Sequence, residues 1–371
     1  MKKFFYVAIS LFIILTSCCQ KEDHSKIIIE ASGFADSTKI YLFNHEIEKQ
    51  DSGFIMNNEL VFSAAVNEPT QFSIRTVYDY QKRDEFENKV FWKENSLLTI
   101  KAEKGNLKYA KIEGSNLQKK ADIIELEQLR LEQINDSLLK EYRSLPAEET
   151  DKRLVLRTKG KETTQAITDV ETKFIKDNPG ELFSVIKLKQ LMTYTVPKNQ
   201  TKELYKSLSD KMKSTKYGIS VKKYLDLSME LKIGDKAPDF QLPDLEGNMI
   251  GLGNYVGKYI LLDFWSSNCG PCILELPNML KNYQAYRDKG FEIISISFDK
   301  KRADWENIVK KENMIWTTVS DLKGSDGEVI ITYNVYFMPT YFLIDPDGII
   351  IDKFMGRGQL DEKLKTIFTT I

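Results

Sequence analysis

Tyr259-Ile260-Leu261-Leu262-Asp263-Phe264-Trp265-Ser266-Ser267-Asn268-Cys269-Gly270-Pro271-Cys272 decides how the last third of this chain is read. The first seven residues are aliphatic or aromatic with one carboxylate among them, the pattern of a strand buried on both faces. Three small polar residues then turn the chain. Pro271, which lacks an N–H, fits the first turn of a helix, where that N–H would have no partner. Two cysteines separated by two residues at a helix start can close a disulfide within one turn. Cys269 stands where free backbone N–H groups and the helix dipole favour a thiolate and is the candidate nucleophile. Cys272, one turn further in, is the candidate resolving thiol, which attacks the mixed disulfide and closes the internal bond.

Outward from this stretch the pattern is βαβ. Cys272 to Arg287 and Arg302 to Glu312 carry helical patterns, with an apolar strand from Phe291 to Phe298 between them. Thr340 to Ile344 and Ile349 to Phe354 form a hairpin around Asp345-Pro346-Asp347-Gly348, and Leu360 to Phe368 is a closing helix. Such strands alternating with helices predict a mixed sheet covered on both faces, an α/β fold over residues 231–371.

A Cys-x-x-Cys pair can also hold zinc, which takes three or four protein ligands. No further cysteine follows Cys272 and no histidine follows His45, so the sequence offers no metal site and no Cys-His nucleophile in this region. Two carboxylates are candidates for proton chemistry instead. Asp263, on an otherwise apolar strand, should have its pKa raised by burial and could relay a proton to or from Cys272. Glu275 lies three residues after Cys272 on one helix face and could tune the same thiol. Met338-Pro339-Thr340 precedes a strand. A cis Pro339 would bring the Met338 backbone beside the dithiol, where a substrate peptide could add as a strand; a trans proline at a strand start suits the residues equally.

Upstream, residues 115–228 read as helical. Leu117, Ile124, Leu131, Leu138 and Leu145 recur at seven-residue spacing, one stripe that needs a partner, either Ile167, Val170 and Phe174 of the next helix or a second subunit. Residues 26–113 read as a small antiparallel, sandwich-like β domain. Its strands are Ile27 to Ile29, Lys39 to Phe43, Glu59 to Val66, Gln71 to Thr76, Leu97 to Ile100 and Leu107 to Ile112, with turns that include Asp51-Ser52-Gly53. Tyr78, Tyr80, Phe86, Phe91 and Trp92 are read as core or rim packing rather than a ligand platform.

The N-terminus has a separate character. Lys2 and Lys3 precede an apolar run from Phe4 to Leu15 that ends at Thr16-Ser17-Cys18, the order of an export signal over residues 1–17. The run is shorter than the ~20 residues a membrane-spanning helix needs. Leu15-Thr16-Ser17-Cys18 resembles a bacterial lipobox, which makes Cys18 the candidate acylation site and residues 18–25 a tether. With two of the four cysteines there, Cys269 and Cys272 are too few to brace an exported scaffold. The 371 residues balance 53 basic against 54 acidic side chains, a formal charge of −1, so no net field steers the chain toward nucleic acid, and contact with a membrane is expected through the lipid anchor only.

The lead-in from Gly234 to Phe240, Trp265 with Cys269-Gly270-Pro271-Cys272, Met338-Pro339-Thr340 and Asp345-Pro346-Asp347-Gly348 resemble the thioredoxin superfamily, specifically the TlpA/ResA-like thiol-disulfide oxidoreductases of bacterial envelopes. The resemblance implies a cis Pro339 near the active site, a redox-active disulfide with no other cofactor, and a periplasm-facing position. It also implies re-reduction by a membrane dithiol carrier of the CcdA or DsbD kind, with exported cysteine-containing proteins as substrates. Asp263 matches the buried aspartate of thioredoxins and Glu275 the glutamate of the ResA-like branch. Asn268 departs from the Trp or Tyr usual beside the nucleophile. The order of lipoprotein signal, β domain, helical segment and α/β domain is similar to multidomain envelope oxidoreductases of Bacteroidetes, whose front domain has no known function. The expected function is therefore thiol-disulfide exchange on exported proteins, as a reductase. The alternatives are a thiol peroxidase, which the absence of a Pro and a Thr before Cys269 disfavours, and a non-catalytic binding lipoprotein using the β domain.

Overall fold

The computed structural model describes residues 25–77, 86–192 and 195–369. The export segment, Cys18, residues 18–24 of the tether, Tyr78 and Tyr80 lie outside the described residues. The chain divides into two compact units, residues 1–129 and 130–371.

In the first unit the strands are β1 (Lys26–Ser32), β2 (Lys39–Asn44), β3 (Lys49–Phe54), β4 (Glu59–Ser63), β5 (Thr70–Arg75), β6 (Asn88–Lys93), β7 (Leu98–Glu103) and β8 (Lys111–Glu113). They form two four-stranded sheets, ordered β4-β1-β7-β8 and β3-β2-β5-β6. Alternation buries one face of each: Ile27, Ile29, Leu98 and Ile100 from the first sheet join Ile40, Leu42, Phe72, Ile74 and Phe91 from the second in one core. That is a sandwich. The strand pairs are antiparallel except β1 with β7, which run parallel. Asp51-Ser52-Gly53 is not a turn but part of β3, which borders its sheet and exposes most of its residues. An edge strand with no buried face carries no apolar alternation to be read. Phe91 and Trp92 are buried in β6, another strand the sequence reading did not list.

The helix α1 (Asn116–Ser144) begins in this unit. Its Gln118 Oε1 accepts the Trp92 N–H at 2.8 Å, satisfying a backbone donor on β6. Of the heptad leucines and isoleucine, Leu117, Ile124 and Leu131 are buried, whereas Leu138 and Leu145 are half-buried. In the second unit, α2 (Thr150–Asp177) folds back on the end of α1: Arg153 covers the Tyr142 ring at 4.0 Å and donates to the carbonyls of Tyr142 and Leu145. Then come α3 (Leu182–Leu191), α4 (Lys198–Ser207), α5 (Asp210–Lys213) and α6 (Lys216–Leu227), packed around Ile175, Val185, Leu188, Leu204 and Val221.

The remaining residues form the α/β fold. A short hairpin of β9 (Leu242–Pro243) and β10 (Met249–Ile250) precedes β11 (Tyr259–Trp265), α7 (Gly270–Tyr286), β12 (Phe291–Ser297), α8 (Arg302–Lys311), β13 (Thr317–Val319), α9 (Glu328–Thr332), β14 (Thr340–Ile344), β15 (Ile350–Met355) and α10 (Leu360–Thr369). The sheet order is β13-β12-β11-β14-β15, with β11, β12 and β13 parallel and β14 and β15 antiparallel additions. One sheet face packs with α7, α8 and α10, the other with α9 and residues 231–242. Ile331 of α9 also enters the core of the preceding helices. Asp326, just before α9, accepts hydrogen bonds from Lys189 of α3 at 2.9 Å and Ser220 of α6 at 2.7 Å. The helical segment and the α/β fold therefore share both an apolar and a polar contact.

Candidate active site

Cys269 and Cys272 form a disulfide with a Cα–Cα separation of 5.2 Å. Cys269 is the N-cap of α7, and its Sγ accepts the Cys272 N–H at 3.2 Å. The Cys269 sulfur thus already faces one of the helix's otherwise unpaired N–H groups. Pro271 lies in the first turn, where it removes no helical bond. With the bond closed, Cys269 keeps 9% exposure and Cys272 3%. The surface around the pair is made by the exposed neighbours Asn268, Gly270 and Pro271.

The loop before Cys269 is held by a residue that sequence reasoning missed. Buried Asp299 accepts from the Ser267 N–H at 3.1 Å, the Ser267 hydroxyl at 2.6 Å and the Ser297 hydroxyl at 2.7 Å. The Trp265 carbonyl accepts the Phe298 N–H at 2.8 Å. The available signal was Ser295, Ser297 and Asp299, polar residues at alternate positions along and just past a largely apolar strand.

Strand alternation sends Leu261, Asp263 and Trp265 to one face of β11, and Leu261 and Trp265 pack in the cluster that contains both cysteines. Asp263 is 1% exposed and is not an edge carboxylate. Its Oδ2 accepts the Ser295 hydroxyl at 2.7 Å, and Ser295 Oγ in turn accepts Trp316 Nε1–H at 2.8 Å. Burial, helped by the nearby Glu275 charge and opposed by the Ser295 hydrogen bond, pushes its pKa up to about 7. Glu275 is buried on α7, where Asn278 Nδ2 donates to it at 2.9 Å and Arg357 Nε lies 3.4 Å away. Tyr341, opposite Asp263 on β14, has its hydroxyl driven above the usual phenol range by burial and by the two carboxylates.

The Met338–Pro339 peptide bond is cis. Pro339 is buried, its carbonyl accepts the Gly356 N–H at 3.0 Å, and Met338 packs against the cluster holding the cysteines. Trp265, Met338, Cys269 and Cys272 are thus gathered at the C-terminal end of β11. Among the described residues no group of three or more His, Cys, Asp or Glu side chains is arranged to hold a metal ion. The chemistry the arrangement offers is a two-electron dithiol–disulfide couple, with the buried Asp263 carboxyl on the face of β11 that packs toward the cysteines.

Residues 233–353 match the model of the AhpC/TSA family, and residues 25–121 that of a domain of unknown function, DUF4369. The chain is 40% identical over 147 residues to thiol-disulfide oxidoreductase ResA of Bacillus cereus, covering 39% of this chain and 83% of that protein. Against ResA of Bacillus subtilis it is 32% identical over 123 residues, 33% of this chain and 67% of the relative. Among solved structures, the thioredoxin domain of a thiol-disulfide oxidoreductase from Bacteroides vulgatus is similar at 33% identity and TM-score 0.36, over 37% of this chain and 99% of that one. With its closed Cys269–Cys272 pair at a helix start in a thioredoxin-like fold, the chain belongs to the ResA/TlpA-like thiol-disulfide oxidoreductases, and it carries a DUF4369 domain in front.

Proposed function

We propose that this oxidoreductase reduces disulfides in exported cysteine-containing proteins from a lipid-anchored, periplasm-facing position in the cell envelope. The observation that carries the reading is Cys269 Sγ at the N-cap of a 17-residue helix, accepting the Cys272 N–H. That setting stabilises the thiolate of a reduced pair. Cys269 attacks a substrate disulfide, forming a mixed disulfide and releasing one substrate sulfur as thiolate, which takes up a proton. Cys272 gives its proton to the Asp263 carboxylate and attacks Cys269 Sγ. The second substrate sulfur leaves, and the two electrons have passed from the dithiol to the substrate. Glu275 tunes the Cys272 thiol, while the backbone at Met338 and cis Pro339 receives the substrate as an added strand.

A membrane dithiol carrier of the CcdA or DsbD kind would restore the reduced pair. The envelope position is supported by the Lys2-Lys3, apolar and Thr16-Ser17-Cys18 order. Among the described residues no helix is long and apolar enough to cross a membrane. The test is the reduction potential of the pair, titrated against defined thiol-disulfide buffers. A value near the roughly −270 mV of thioredoxin supports a reductase, and one near the roughly −120 mV of a strong oxidant reverses the direction.

A further inference from the structure

Residues 333–339 join α9 to β14 and end at the cis Met338–Pro339 bond. Their side chains are divided among three apolar clusters. Tyr333 and Val335 are buried in the core on the α9 face of the sheet, and the Tyr333 hydroxyl donates to the Pro238 carbonyl at 2.6 Å. Tyr336 turns instead to the helical segment. It packs on the core of Val185, Leu188, Leu204 and Val221, its ring edge-on to Tyr224 of α6 with centroids 6.0 Å apart. Met338, two residues on, packs against the cluster that holds Cys269 and Cys272. Phe337, between these two anchored side chains, is 53% exposed.

Backbone bonds hold both ends of the stretch. At its start the Asn334 and Val335 N–H groups donate to the Ile331 and Ile330 carbonyls, each at 3.0 Å. At its end the Phe337 carbonyl accepts the Thr340 hydroxyl at 2.6 Å, and the Pro339 carbonyl accepts the Gly356 N–H. Between those ties Tyr336 is held by its ring. The helical segment grips the approach to this stretch as well: Ile331 enters the same helical core, and the Met229 N–H, just past α6, donates to the Thr332 carbonyl at 3.0 Å.

We infer that Tyr336 is a positioning residue for substrate docking, through which the helical segment fixes the backbone that receives the substrate chain beside the dithiol. The inference rests on the reading of Met338 and Pro339 as the docking strand. A chain that adds as a strand is aligned by main-chain hydrogen bonds, so the receiving backbone must already stand at the right place and angle. A receiving loop that had to order during binding would cost affinity, and a small displacement of the reacting sulfur lowers the rate steeply. The Tyr224–Tyr336 pair supplies an oriented contact at that point. It gives the helices, which carry no chemistry of their own, a part in the reaction. A disulfide too small to add as a strand needs none of this support.

The experiment compares two oxidants of the pre-reduced full chain in single-turnover rapid mixing: insulin, whose cystines lie in peptide chains, and hydroxyethyl disulfide, which has no peptide backbone. Tyr336→Ala should lower the second-order rate with insulin by about tenfold. The rate with hydroxyethyl disulfide and the reduction potential of the pair should stay at wild-type values. Tyr336→Phe, which keeps the ring, should match the wild type with both oxidants. Tyr224→Leu removes the helix side of the contact while leaving the loop sequence intact. It should reproduce the selective loss, and it carries the test if Tyr336→Ala does not fold, as judged by circular dichroism. An unchanged insulin rate, equal losses with both oxidants or a shifted potential overturns the role of Tyr336. A wild type that reacts no faster, per disulfide, with insulin than with hydroxyethyl disulfide overturns the docking reading instead.

Discussion

Replacing Asp263 with asparagine should stabilise the oxidised protein while slowing its chemistry, with a gain in stability that grows with pH. Asp263 titrates at about 7 in the fold against 3.8 unperturbed, chiefly because burial disfavours its charge. A raised folded pKa means the native state holds a proton that the unfolded chain has released. The native state therefore loses stability as pH rises from the unfolded pKa to the folded one, and the full penalty is present above it. A difference of about 3 units corresponds to about 4 kcal/mol at pH 8, and to about 2 kcal/mol at pH 5, where only part of the window has been crossed. Asparagine keeps an acceptor for the Ser295 hydroxyl and never ionises. Urea transitions of wild type and Asp263→Asn, followed by the fluorescence of Trp265, Trp305 and Trp316, should therefore separate more at pH 8 than at pH 5. Exchange at pH 7 should fall on the order of 10²-fold with the loss of a positioned proton acceptor. Equal separation at the two pH values would refute the argument, since a packing gain has no pH dependence.

Cys272→Ser should trap a mixed disulfide with substrate that non-reducing electrophoresis resolves, whereas Cys269→Ser should form none and lose exchange altogether. Asp299→Ala leaves two buried donors and the Ser267 hydroxyl without an acceptor, and should lower stability by about 3 kcal/mol in thermal unfolding. The same change should increase proteolytic nicking at residues 266–268. Asp326→Ala removes the acceptor shared by Lys189 and Ser220 and should loosen α3 and α6 from the α/β fold, read as faster amide exchange in those helices. Although burial opposes it, the Lys189 charge and these hydrogen bonds hold the Asp326 carboxyl below its usual range. Its contribution is present above the unfolded pKa and fades as the solution is acidified through the lower folded one, so the wild type should show the same loosening at strongly acid pH.

What could be read in advance was chemistry that residue type and local spacing express. Cys269, Cys272 and Pro271 occupy one helical turn, and Asp263 stands out on an apolar strand. The strands β11, β12 and β14 were plain because each is buried on both faces. Asp299 was invisible because its clamp on Ser267 spans 32 residues and uses polar identities common in any loop. Arg357 acts on Glu275 across 82 positions, a contact made by a long side chain from a turn whose glycines alone were visible. In the β domain, β3 lacks the alternation that revealed its neighbours, since only one of its edges is paired and its side chains face water. The parallel β1–β7 pairing joins strands far apart in the chain, which no local pattern encodes.

The Ile331 contact has a practical bearing on where the catalytic part of this chain can be cut. Beginning a fragment at Leu231 would follow the first residue of the redox fold's own core, yet it would strip Val185, Leu188 and Val221 from one side of α9. A water-facing Ile331 would then sit on a helix of five residues, too short to hold its shape by backbone bonds alone, and Asp326 just before it would lose Lys189 and Ser220. A soluble fragment that retains native redox behaviour is therefore better started ahead of α3, keeping the helices whose sequence advertises no chemistry.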